Sequence, residues 1–161
     1  MSADQIALIG RLDAELIELE RVLARAERLM AKARAQGDED YLDGAALNLH
    51  SFYAGAERIF EEIAREIDGS VPTGPEWHRD LLMQMSAELR GTRPPVIGRN
   101  TRDCLDNYRG FRHVVRNVYT FNLRPSRLQE LADEARPCYS ALVEDMTRFY
   151  DFLEKQELAQ T

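Results

Sequence analysis

Ser2-Ala-Asp-Gln-Ile-Ala-Leu-Ile-Gly-Arg-Leu-Asp-Ala-Glu-Leu-Ile-Glu-Leu-Glu-Arg-Val-Leu-Ala-Arg-Ala-Glu-Arg-Leu-Met30 sets the fold class. Ile6, Ile9, Leu12, Leu16, Leu19, Leu23, Ala26 and Met30 recur at intervals of three and four, which is one stripe of an α-helix. Ser2 supplies an N-cap oxygen and Gly37 a stop, so the first helix is predicted over about 3–36. The same period continues downstream. A second helix, about 39–68, carries Leu42, Leu49, Phe52, Ala56, Ile59, Phe60, Ile63 and Ile67, with Asp38 as cap and Gly69 at the C′ position. Pro75 can open a third helix running to about Arg90, and Gly91–Gly98 with Pro94-Pro95 reads as a loop. A fourth helix, about 101–121, takes Asn100 or Thr101 as its cap. A last one runs from Pro125 or Ser126 to about Gln156, with Pro137 as a kink or break. No run of β-branched alternation stands out. Short connections between amphipathic helices predict an all-α, antiparallel bundle of about five helices with no β-sheet, spanning residues 1–161 as a single domain.

Composition bounds the function. The 161 residues are 44% hydrophobic and 30% charged with a net charge of −7, an ordinary globular balance that argues against a general nucleic-acid coat. No apolar run is long enough to span a bilayer, and no basic region followed by an apolar core marks the N-terminus; the expectation is a cytoplasmic protein with no membrane partner. Cys104 and Cys138 lack any paired spacing and read as small apolar residues of a reducing compartment. Histidines 50, 78 and 113 form no HExxH-type pair, so neither a metal nor another cofactor is expected.

Charge is distributed unevenly. Residues 99–127 hold Arg99, Arg102, Arg109, Arg112, Arg116, Arg124 and Arg127 against Asp103 and Asp106, a local charge of +5 that leaves −12 for the rest. Within the fourth helix, Arg109, Arg112, His113, Arg116, Asn117 and Thr120 share one flank, and Cys104, Tyr108, Phe111, Val115 and Val118 the other. Concentrating like charge on a helix flank costs stability. One reading is pairing with acids of a neighbouring helix or partner chain. The other is an anion site: arginines to clamp a phosphate, His113 to move a proton near neutral pH, and Asn117 to hydrogen-bond a base or sugar. Such a set suits metal-independent RNA cleavage, in which the 2′-OH supplies the nucleophile. In the second helix, Gly55 and Ala56 leave room for close approach of another helix, while Glu57 and Arg58 face either a polar pocket or solvent.

At Arg112-His-Val-Val-Arg-Asn-Val-Tyr119 the chain resembles the HEPN superfamily, and within it the HepT-like ribonuclease toxins. Their signature is arginine, a polar residue, three variable positions and histidine, with tyrosine two further on. Arg112 and Tyr119 match it, His113 fills the polar slot, and Asn117 stands where the family has histidine. Ser51–Phe60, Trp77–Leu82 and Tyr119–Leu123 extend the resemblance over about 45–155. The resemblance implies a homodimeric helical ribonuclease acting on RNA. Catalysis would fall to Arg112, His113 and Asn117, and phosphate binding to Arg109 and Arg116. It also implies a minimal nucleotidyltransferase (MNT) antitoxin that silences the toxin by attaching AMP to Tyr119. An amide is no general base, so either His113 takes the proton-transfer role or the protein is a catalytically degenerate subunit that binds a nucleotidyltransferase or RNA. A structural bundle dimer is the third reading.

Overall fold

The computed structural model describes residues 1–117 and 124–159, the side chains of 112–117 and 157 aside. Among these it contains five α-helices: α1 (Ala3–Gln36), α2 (Asp40–Ile63), α3 (Trp77–Met85), α4 (Arg99–Asn117) and α5 (Pro125–Leu158). A single π-helical turn, Ala64–Asp68, extends α2. The nearest approach to sheet is one bridge between Leu89 and Arg93. The all-α expectation holds.

Ser2 caps α1 through a capping box with Gln5, and Asp38 Oδ1 accepts the Asp40 amide at 2.9 Å to start α2. Gly37 and Gly69 take left-handed φ values of 63° and 70°, which only glycine adopts without strain. The buried stripe of α1 is Leu8, Leu12, Leu16, Leu19, Leu23, Ala26, Met30 and Ala33. It begins at Leu8 rather than Ile6, which lies outside, because a stripe of 3.6-residue period through Leu12 and Leu16 runs back to 8.

Cross-links give the helix directions. Arg11 pairs with Glu62 and Arg58 with Glu15, so α1 and α2 are antiparallel. The Tyr139 hydroxyl donates to the Leu16 carbonyl, and Arg136 reaches Glu20 and Glu27, which sets α5 antiparallel to α1. Tyr108 donates to the Leu131 carbonyl and the Gly98 amide to Asp145, which sets α4 antiparallel to α5. One apolar core runs through all five helices, from Leu8 to Leu153.

Two boundaries differ from expectation. Helix α3 spans Trp77–Met85 rather than Pro75 to Arg90. The Met85 carbonyl, free of a helical partner, accepts the Val96 and Ile97 amides instead. Arg93 is buried among the residues that follow and takes up the Gln84 and Ala87 carbonyls. Helix α5 passes through Pro137 without a break. An interior proline costs about 3 kcal/mol; here tertiary ties flank it, Arg136 to α1 on one side and Cys138 to α4 on the other.

Gly55 supplies the close approach its sequence context implies. A Cβ there would lie 2.3 Å from Leu19 Cδ2, and Leu19 is itself buried in the core. Gly55→Ala should therefore destabilise the protein by about 1–2 kcal/mol through overpacking, although alanine gains about 1 kcal/mol in helix propensity. Gly10, with nothing within 4 Å of a built Cβ, is the control. Gly10→Ala should be neutral or stabilising by up to about 1 kcal/mol, both read from urea unfolding.

Candidate functional site

Helix α4 is placed from both ends of its described length. Its first turn is held by Asp145, whose Oδ2 accepts the Gly98 amide at 2.9 Å; neither Asn100 nor Thr101 acts as the cap, and Thr101 is buried. Leu105, Tyr108 and Phe111 enter the core, and Tyr108 meets Phe52 edge-on with ring centroids 5.4 Å apart. The expected apolar flank is therefore present as far as its side chains are described.

On the other flank, Arg109 Nε donates to Asp106 Oδ1 at 2.7 Å, with both side chains partly exposed. This arginine is paired, but with an acid of its own helix rather than one of a neighbouring helix or partner chain. An exposed i,i+3 pair contributes at most about 1 kcal/mol, so an incoming phosphate can displace Asp106. The backbone stays helical through 117. Positions 112, 113 and 116 thus follow 109 at intervals of three, four and seven, on one flank, and Asn117 lies one turn beyond His113. Tyr119 falls outside the described residues.

Beside α4 the structure places a polar seam that runs into the core. Tyr53 and Glu57 lie one turn apart on α2, both buried. Glu57 Oε2 is 2.5 Å from Nδ1 of His78 on α3, and the His78 ring stacks on Trp77 at 3.5 Å between centroids. The Tyr53 hydroxyl lies by the Glu57 carboxylate without closing a hydrogen bond of normal geometry among the described residues. Burial, then the charge of Glu57, push that hydroxyl well above its ordinary value, while Arg109 pulls it the other way.

A buried carboxylate is costly unless paired or hydrogen-bonded, and the His78 ring nitrogen lies within hydrogen-bond distance of it. A histidine oriented by a carboxylate can also exchange protons with a bound group. The sequence signal for Glu57 was a single charge among Leu49, Phe52, Ala56 and Phe60; it lies inside, whereas Arg58 lies outside against Glu15. His78 carried no local signal, because its partner is 21 residues away. Among the described residues no group of three or more His, Cys, Asp or Glu side chains is placed to hold a metal.

The described residues thus give an all-α bundle whose α4 carries the paired Arg109, with the buried Glu57 held by His78 at the adjoining α2–α3 contact. Residues 44–153 match the family model described as HepT-like protein. The chain belongs to that family. The match opens in α2 and closes in α5, close to the 45–155 of the sequence resemblance, and leaves out α1. No curated protein and no solved structure matches the chain.

Proposed function

We propose that this chain is a metal-independent endoribonuclease, the toxin of a pair whose antitoxin is a minimal nucleotidyltransferase. The observation that carries the reading is the Arg109–Asn117 flank on α4 of a HepT-like chain, a family generally associated with toxin–antitoxin systems. Arg112 stabilises charge on the scissile phosphate; Arg109 and Arg116 bind the RNA backbone. His113 is the acid or base, assisted by Asn117. Two chains bring their flanks together as a homodimer in the cytoplasm. Tyr119 is the AMP acceptor, and phosphate placed there would occupy the arginines meant for RNA. Among the described residues no helix is long and apolar enough to cross a membrane.

Asn117 favours a second reading, a degenerate HEPN subunit that binds its partner without cutting RNA. One experiment separates the two: pure protein and Asn117→His incubated with single-stranded RNA in the presence of EDTA. On the first reading the parent protein cleaves. On the second the parent is inert, and Asn117→His creates cleavage. Inertness of both variants, with RNA binding untouched by Arg-to-Ala changes, would leave the structural bundle.

A further inference from the structure

Cys104 of α4 and Cys138 of α5 are joined in a disulfide, with Cα atoms 5.9 Å apart and a sequence separation of 34. This corrects the expectation of two separate apolar thiols. The pairing was invisible locally because each cysteine is alone in its own helix.

We infer that the Cys104–Cys138 disulfide is a redox staple that fixes the arginine-bearing helix on α5, so that its reduction by a dithiol lowers the activity of the site. The effect on activity rests on the proposed ribonuclease reading; the staple itself does not. Its placement is the first argument. The closed segment 104–138 contains Arg109, Arg112, His113, Arg116, Asn117 and Tyr119, every residue of the candidate site. Cross-linking a loop of this length removes freedom chiefly from loosened states, and catalysis by positioned cations depends on that fixity.

Compatibility of both redox states with the fold is the second argument. Cys138 is buried in the apolar core and Cys104 packs against its edge. As free thiols both remain small apolar side chains at filled positions. Without the bond, Tyr108 to Leu131 and Gly98 to Asp145 still hold α4 to α5. Reduction therefore loosens the junction and leaves the bundle standing. The junction is also a weak point, since Pro137, next to Cys138, removes one helical hydrogen bond from α5.

Accessibility gives the route. Cys104 is partly exposed and Cys138 is not, so a thiolate of the dithiol attacks the Cys104 sulfur. The protein S–S bond breaks, and Cys138 leaves as thiolate and takes a proton. The second thiol of the dithiol then attacks the mixed disulfide and releases Cys104. The protein gains two electrons and two protons, and the dithiol leaves as a disulfide.

The test uses the full chain, oxidised with glutathione disulfide or reduced with dithiothreitol. Thiol titration should count no free thiol in the first state and two in the second. The reduced protein should melt about 10 °C lower. Amides of Leu105–Phe111 should exchange faster, and RNA cleavage should fall about tenfold. Cys104→Ala/Cys138→Ala should match the reduced protein and ignore dithiothreitol. Two free thiols after oxidation, or identical melting and exchange in the two states, would overturn the staple. If neither state cleaves RNA while melting and exchange still respond, the ribonuclease reading fails and the staple stands.

Discussion

Arg112→Ala should lower metal-free RNA cleavage by about 10²–10³-fold, the loss typical of removing one preorganised donor to developing charge, with little change in melting temperature. The expectation rests on where α4 puts position 112. The helix is anchored on its buried side by Leu105, Tyr108 and Phe111, and position 112 continues the Arg109 flank by one turn. On the proposed reading a guanidinium there serves a phosphate bidentately, and lysine does not replace that fork; Arg112→Lys should recover only part of the rate. His113→Ala should cost about 10²–10⁴-fold as the loss of an acid or base, and its pH–rate profile should lose one limb. Arg109→Ala should cost far less, because Arg109 already has Asp106 as a partner and its proposed role is with the RNA backbone rather than the scissile phosphate. Its signature would be a weaker dependence of binding on salt, about one counterion per lost contact. Full cleavage by both Arg112→Ala and His113→Ala would remove this flank from the chemistry and leave His78, oriented by Glu57, as the histidine to examine.

What could be read from the chain was whatever a single helix decides alone. The stripe of α1, the Gly37 and Gly69 stops, the continuity of 39–68 and the apolar flank of α4 as far as Phe111 all follow from period and caps. Features missed from the sequence depend on residues far apart in it. The end of α3 at Met85 depends on Arg93 drawing off carbonyls, so the propensity of 86–90 for helix loses to a tertiary contact. The disulfide needs α4 and α5 side by side. The seam needs His78 beside a carboxylate 21 residues earlier. Even Pro137, a reasonable breaker, sits inside α5 because Arg136 and Cys138 hold the helix on either side of it. Family resemblance proposed the site's residues; the fold added the Glu57–His78 pair between α2 and α3.

A second large effect is expected away from the site. Arg93→Ala should destabilise the protein by about 3–5 kcal/mol, the cost of leaving one half of a buried ion pair, which lowers the melting temperature of a chain this size by about 10 °C. Both side chains are fully buried. Arg93 Nε donates to Asp68 Oδ1 at 2.6 Å and Nη2 to Asp68 Oδ2 at 2.7 Å. Its remaining N–H groups reach the Ala87, Pro94 and Gln84 carbonyls at 2.9, 3.1 and 3.2 Å. All five guanidinium donors are thereby used. Gln84 Nε2 donates to Asp68 Oδ2 at 2.8 Å and to the Ser70 carbonyl at 2.9 Å, tying the π-helical turn to α3. Alanine at 93 would leave a buried carboxylate without its counter-charge and three carbonyls short of a donor. Lysine, with three donors and no fork, should recover less than half of the loss. Replacing both partners, Asp68→Leu with Arg93→Met, should cost less than either single truncation, because no uncompensated charge remains. The network sits at the end of α3, whose Met85 carbonyl accepts the Val96 and Ile97 amides just ahead of α4. Cleavage by Arg93→Ala, measured well below its lowered melting point, should stay within about threefold of the parent, since no group that touches the phosphate is lost. A melting shift under about 3 °C would mean that the pair contributes almost nothing net to stability.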